Sequence, residues 1–335
     1  MSDDDGVLQD ELLARVMLAI ASEPGDEVTG KLIRSLGPSE TVWLAMGPTD
    51  ANEPVLTDVD AWRQRVGPRL SEDHARQAME ASDRLGMRML IPGDAGWPVS
   101  MQRWGDRGPV ALWVMGAVEH LSAPSSVGIV GARAATSYGT YIAGELATES
   151  ADAGHVVVSG GAYGIGGAAH RAALATGGST VAVLPAGLDR LYPSGHQQLF
   201  ERIAQGGTLV SELPPGARPT RHRFEQQGRL IAALSSALIV VEAGYRSGAL
   251  LVAAQAMEIG GQVGAVPGPI TSAASAGCHR LIRDEMAEVV TGMVDITQML
   301  RRAGAYPAKS LTPEVSTSTQ VSAASFSNHI PGLSR

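Results

Sequence analysis

The chain has 335 residues, of which 44% are hydrophobic, 18% charged and 4% aromatic, with a formal net charge of −8. This is the composition of a globular protein long enough for one large core or two domains, and its negative balance argues against a protein that coats itself with nucleic acid. The single cysteine, Cys278, excludes an internal disulfide framework or a cysteine-rich zinc site and points to a reducing, cytoplasmic setting; the acidic start Met1–Gly6 is no secretory signal.

Taken in order, the chain is helical from Leu8 to Leu85. Leu12, Leu13, Val16, Met17 and Ile20 recur at helical spacing, Pro24-Gly25-Asp26 breaks the pattern, and Lys31 to Leu36 resumes it. Ser39 reads as the N-cap of a further helix, and Ser71 to Leu85 is amphipathic. Met87–Ile91 is strand-like, Val110–Met115 is a second strand, and Ala117–Ser126 reads as a linker. From Val127 the period is regular. Strand-like runs at Val127–Val130, Val156–Ser159, Thr180–Leu184, Thr208–Ser211, Ala237–Val241, Gln262–Val266 and Glu288–Val290 alternate with helical patterns at Tyr141–Ala153, Gly164–Thr176, His196–Gln205, Arg229–Ala233, Gly248–Gly260 and Cys278–Met286. That alternation predicts right-handed crossovers and a doubly wound, mostly parallel α/β sheet. The expected organisation is a helical domain at 1–86, an α/β domain at 87–302 and a disordered tail at 303–335, rich in Ser, Thr and Ala. The longest apolar run, Leu230 to Val241, is broken by Ser235 and Ser236 and is too short for a membrane span.

Chemistry is sought where the strands end. At the first junction, Gly131-Ala132-Arg133 leads through a polar turn to Ser137 and Gly139. A glycine there admits a ligand to the backbone, the following helix offers unpaired N–H groups to an anion, and Arg133 can fork onto a phosphate. The second, Ser159-Gly160-Gly161-Ala162-Tyr163-Gly164-Ile165-Gly166-Gly167, approximates a dinucleotide fingerprint. Its glycines start too late after the strand, however, and no acid closes the next one, which argues against a nicotinamide cofactor. Asp189 in the third junction either caps a turn or orients a neighbour in the cleft. After Ser211-Glu212 comes the most basic segment of the chain, with Arg218, Arg221, Arg223 and Arg229 around Phe224. A basic run beside an aromatic ring suits single-stranded nucleic acid, the ring stacking on a base and the guanidiniums following the backbone; the alternative is a solvated loop with Phe224 in the core. Ser247-Gly248 starts a helix that can receive a phosphate. Cys278 and His279 are adjacent, but no third group orients them, so Cys278 reads as a buried structural residue. Catalytic signatures are missing, and anion-binding glycines are many.

These motifs, in order, resemble the DNA-processing protein A family (DprA, also called Smf): Ile129-Val130-Gly131-Ala132-Arg133, Ser159-Gly160 with Ala168-Ala169-His170, Gly187-Leu188-Asp189 with Tyr192-Pro193, Ser211-Glu212, Val241-Glu242-Ala243 with Ser247-Gly248, Val266-Pro267-Gly268, and Gly277-Cys278 with Leu281-Ile282. The resemblance implies an extended Rossmann-like fold behind a helical, SAM-like front, a homodimer, single-stranded DNA as ligand, and loading of the RecA recombinase during natural transformation. It places Gly131 and Arg133 on the family's phosphate-binding turn and Phe224 and Arg229 at the ends of its Phe-Pro-x-Arg-Asn-Arg stretch. That stretch is Phe224-Glu225-Gln226-Gln227-Gly228-Arg229 here, and Arg218, Arg221 and Arg223 offer the charge it has lost. The tail has no counterpart of the winged helix that some members carry. The nucleic-acid contacts expected are Gly131, Arg133, Ser137, Gly160, Gly161, Arg221, Arg223, Phe224, Arg229, Ser247 and Gly248, with no cofactor, no metal, no membrane partner and no catalysis. The alternatives are a nucleotide-processing enzyme of the lysine-decarboxylase-like phosphoribohydrolase group and a diverged scaffold that has lost its ligand.

Overall fold

The computed structural model describes residues 3–47 and 57–305. The expected disorder of the tail falls, from residue 306 on, outside the described residues.

Five helices form the front of the molecule: α1 (Asp3–Ala21), α2 (Glu27–Leu36), α3 (Pro38–Met46), α4 (Thr57–Val66) and α5 (Glu72–Arg84). Among the described residues, side-chain caps start two of them. The Asp26 carboxylate accepts from the Thr29 N–H at α2, and the Ser71 hydroxyl accepts from the His74 N–H at α5. Ser39 caps nothing: Gly37, at φ 92°, turns the chain, and Pro38 opens α3 at a position where its missing N–H costs no hydrogen bond. The buried Trp62 indole donates to Thr29 Oγ1 at 2.7 Å and fastens α4 to α2.

Behind them lies a nine-stranded sheet. Its strands are β1 (Arg88–Leu90), β2 (Leu112–Gly116), β3 (Ser126–Gly131), β4 (Val156–Gly160), β5 (Thr180–Val183), β6 (Thr208–Ser211), β7 (Ala237–Glu242), β8 (Gln262–Ala265) and β9 (Glu288–Val289), in the order β1-β2-β6-β5-β4-β3-β7-β8-β9. The two pairings of β2 are antiparallel and the rest parallel. The interior strands are buried along almost their whole length, as the continuous apolar runs require.

Seven helices complete the fold: α6 (Ser137–Asp152), α7 (Ile165–Ala175), α8 (Gln197–Gly206), α9 (Arg221–Leu234), α10 (Gly248–Glu258), α11 (Ala276–Arg283) and α12 (Met293–Arg302). One face of the sheet packs on α6, α7 and α12 through Ile129, Val157, Ile165 and Ile239. The other packs on α9, α10 and α11 through Val130, Val158, Val240 and Leu230. The front helices share a core with the sheet rather than owning one: Val16, Leu18 and Trp62 belong to the same apolar cluster as Trp113, Ala182, Leu209 and Phe200. Two elements exceed the sequence reading. Helix α9 begins at Arg221, not near Arg229, because the Thr220 hydroxyl accepts from the Arg223 N–H and starts it early. Helix α12 was not anticipated; Ile296, Met299 and Leu300 bury its single apolar face. The linker after β2 holds a 3-10 turn at Val118–Ser122.

The strand order fixes where a ligand can sit. From β3 the chain winds outward through β4, β5 and β6, then returns to lay β7 on the other side of β3. The carboxyl ends of β3 and β7 therefore diverge into a crevice at the topological switch point, the usual ligand position in such sheets.

Candidate nucleic-acid interface

A cleft of about 1040 Å³ opens at that switch point. On the β3 side it is lined by Gly131 and Arg133, on the β4 side by Gly160, Tyr163 and Gly166, and on the β7 side by Gly244, Arg246, Ser247 and Gly248. The start of α9 closes it with Arg221, Phe224 and Glu225, and Tyr192 adds a further ring. The Arg133 guanidinium lies 4.5 Å over the Phe224 ring, and Tyr192 meets the same ring edge-on at 5.8 Å. Tyr163 is held edge-to-face on His196 at 4.5 Å. The charged lining is three arginines and one glutamate, and that glutamate, Glu225, is paired to Arg221 at 3.1 Å. Arg133 and Arg246 are exposed and, among the described residues, have no carboxylate partner. A cation held against a ring costs little desolvation and presents a flat, positive face. The cleft thus carries unpaired positive charge on its rims, with π-faces between.

The loop around Gly164 shows how closely the walls approach. At φ 73°, a Cβ there would lie 2.2 Å from the Ala132 carbonyl oxygen, and that carbonyl accepts from the Ile165 N–H. Glycine is therefore required to let the second loop brace the first. The glycines of this loop divide by role. Gly160 and Gly166 line the cleft, whereas Gly161 is buried against Phe200 and Leu184 and Gly167 against His196. Gly161, expected as a contact, is packed into the core and does not line the cleft.

Three further expected contacts lie outside the cleft. Arg229 is 2% exposed; its guanidinium donates to both Glu212 carboxylate oxygens at 3.1 and 2.9 Å, to Gln226 Oε1 at 2.7 Å and to the Arg107 carbonyl. Buried, and with four of its five N–H groups engaged within the protein, it is not placed to receive a phosphate. Burial raises the Glu212 carboxyl above its ordinary range, with the Arg229 charge opposing. Arg223 turns toward the front helices, where it meets Glu23 at 3.0 Å and the Arg218 carbonyl at 2.8 Å. Ser137 is exposed at the head of α6. There the anion position is already filled by the protein itself: Glu242, 2% exposed at the end of β7, accepts from the Thr136 N–H at 2.8 Å and hydroxyl at 2.7 Å. At the α6 N-terminus the N–H and hydroxyl of the capping residue Thr136 are thus given to a carboxylate of the neighbouring strand β7. At α10, by contrast, Ser247 caps the helix through the Ala249 N–H, and the start of the helix opens into the cleft.

Residues that were not among the expected contacts complete the cleft. Arg246 and Tyr192 line it, and Gln227 stretches its amide to the Val183 carbonyl at the end of β5. The one legible signal was the position of Arg246 between Gly244 and Ser247 in a strand-end loop. Elsewhere, Cys278 Sγ donates to the Val240 carbonyl at 3.5 Å while His279 Nε2 faces the Gly268 carbonyl at 2.9 Å, so the two side chains diverge. Burial pushes the thiol up to about 11, which keeps it protonated and inert. Among the described residues no cluster of His, Cys, Asp or Glu is arranged to hold a metal ion, and no helix is long and apolar enough to cross a membrane.

The family model for DNA recombination-mediator protein A matches residues 88–301. A putative DNA processing protein DprA of Mycobacterium tuberculosis is 44% identical over 298 residues, covering 86% of this chain and 74% of that protein. Among solved structures, DNA processing protein A of Streptococcus pneumoniae superposes with a TM-score of 0.69 at 27% identity, covering 86% of this chain and 96% of the other. DNA processing protein A of Helicobacter pylori, from a study of its single-stranded DNA binding mode, gives a TM-score of 0.58 at 28% identity over 64% of this chain and 96% of that one.

Proposed function

The chain belongs to the DNA recombination-mediator protein A family, and from that premise we propose that its switch-point cleft binds single-stranded DNA and that the protein acts as a recombination mediator. In this reading Arg133 and Arg246 each take a phosphate, the head of α10 with Ser247 and Gly248 takes a third, and Gly131 and Gly160 keep the floor clear for the backbone. Phe224, Tyr192 and Tyr163 offer faces and edges to unstacked bases, and Arg221 adds charge at the α9 rim. Stacking of this kind is indifferent to base identity, so binding is not sequence-specific. Delivery of the strand to the RecA recombinase, a homodimeric state, a cytoplasmic setting and the absence of a catalytic step belong to the same proposal.

The observation that supports it most is the lining itself: three aromatic rings and three arginines against one paired glutamate, in a chain whose formal net charge is −8. Positive charge is gathered where the fold leaves its crevice. The test is a titration of single- and double-stranded oligonucleotides at several salt concentrations. Single strands should bind more tightly, with log affinity falling by roughly 0.7 per phosphate neutralised per decade of salt. Arg133→Ala and Arg246→Ala should each make that slope shallower by something under about one unit. No binding at low salt would sink the proposal, and release of a free base from a nucleoside monophosphate would favour a nucleotide-processing enzyme instead.

A further inference from the structure

The loop between β7 and α10 is the rim of the cleft on its β7 side. Gly244, Arg246 and Ser247 face inward, but Tyr245, between them, does not line the cleft. It is 64% exposed and lies on the outer side of the rim, where the Arg280 guanidinium of α11 sits 5.3 Å from its ring centroid. Arg280 is tethered at 3.4 Å to Asp284 four residues on, with its side chain still 43% exposed. The pairing repeats the arrangement inside, where Arg133 lies over Phe224. There are thus two arginine-on-ring pairs, one within the cleft and one outside its lining, with the exposed, cleft-lining Arg246 next to Tyr245 in the loop that leads into α10.

A large exposed tyrosine is not held under a guanidinium by core packing, since neither group is buried. The pair is a preformed platform: a rigid ring with low ordering cost, plus a cation beside it for the backbone. A flexible polyanion leaving the cleft over the rim meets it next. Resting on the proposed function of the cleft, we propose that Tyr245 and Arg280 form a second base-stacking and phosphate contact, outside the cleft, for the same DNA strand. The occupied strand then runs from Phe224 past Arg246 and over the rim to Tyr245. Oligonucleotides too short to cross the rim do not reach it.

Length dependence tests this. Fluorescence anisotropy with oligothymidylates of about 5 and about 20 nucleotides, within and beyond the usual footprint of one binding fold, is measured for the full chain and for Tyr245→Ala, Tyr245→Phe and Arg280→Ala. Tyr245→Ala should weaken the long oligonucleotide about 10-fold, a typical loss for one stacked base. The short one should change by less than about twofold, and Tyr245→Phe, which keeps the ring, should restore the long-strand affinity. Arg280→Ala should make the salt slope of the long strand alone shallower by about 0.7. An equal loss on both lengths, or none on either, overturns the platform while leaving the cleft in place. Failure of the unsubstituted chain to bind either oligonucleotide overturns the reading of the cleft and the platform with it.

Discussion

Arg229 shows what a single residue hides when it is read in one dimension. Within a run of arginines it counts as exposed charge, since arginine is seldom buried unless paired. Its partner, Glu212, lies 17 residues away at the end of β6, and nothing in the local pattern connects them. The prediction for this residue is therefore stability rather than affinity. Arg229→Ala leaves the Glu212 carboxylate buried without its cation and should cost about 3–5 kcal/mol of unfolding free energy in urea titrations. Arg133→Ala, at an exposed position, should change stability by no more than about 0.5 kcal/mol while weakening single-strand binding. Cys278 was legible for the opposite reason: an apolar setting and no orienting third group are visible in the sequence. With its thiol held at about 11 by burial, the native protein should show no reaction with a thiol reagent at pH 8, and full reaction once denatured. Prompt labelling of the folded chain would contradict the buried assignment.

At the scale of the element, the turn from Gly131 into α6 was the clearest feature of the sequence and is the one that changed most. Strand, glycine and helix stand where they were expected, but the carboxylate at the helix N-terminus is Glu242, bound to the cap Thr136. A glutamate at the end of β7 holds Thr136, the cap of α6, only because β7 pairs with β3, a neighbour relation that sequence order conceals. Glu242 leaves a steric signature. A Cβ on Gly139 would lie 2.5 Å from Glu242 Oε2, whereas one on Gly144, in the same helix, would meet nothing within 4 Å. Glycine to alanine in a helix interior ordinarily stabilises by about 0.5–1 kcal/mol. Gly144→Ala should do so, and Gly139→Ala should destabilise instead; the two urea midpoints, moving in opposite directions, check the contact. The elements that escaped notice, α12 and the first two turns of α9, share a cause. A short helix buries one narrow stripe, and the start of α9 is polar because it faces the cleft, so neither carries a full hydrophobic period.

For the whole molecule, the alternation of strands and helices was enough to derive a mostly parallel, doubly wound sheet, because that alternation has few chain-connectivity solutions. The strand order was not legible, and with it went the switch point, the pairing of Arg133 with Phe224 across three crossovers, and the facing of Arg246 to both. The merged core of front helices and sheet was equally hidden, since apolar periodicity says that a face is buried but not against what. One consequence of such deep burial belongs to the molecule as a whole. His170 of α7 is fully buried, and its Nδ1 lies 2.8 Å from Thr180 Oγ1, whose own proton goes to the Val157 carbonyl. The ring must therefore donate through Nδ1. Burial, partly offset by the Gly160 carbonyl and reinforced by His196 and Arg171, pushes its titration down to about 4. In the unfolded chain the same ring takes its proton near 6.5. Between those values the unfolded state binds the extra proton, so stability is complete above about pH 6.5 and declines as pH falls toward 4, by about 3 kcal/mol in all. Glu212, raised by burial, shifts stability in the opposite sense but is common to any variant at position 170. His170→Gln, whose amide can still donate to Thr180, should therefore lose the acid-sensitive component: its urea midpoint should fall less than that of the unsubstituted chain between pH 7 and pH 4.5. Parallel decline of the two would place the acid sensitivity elsewhere in the core.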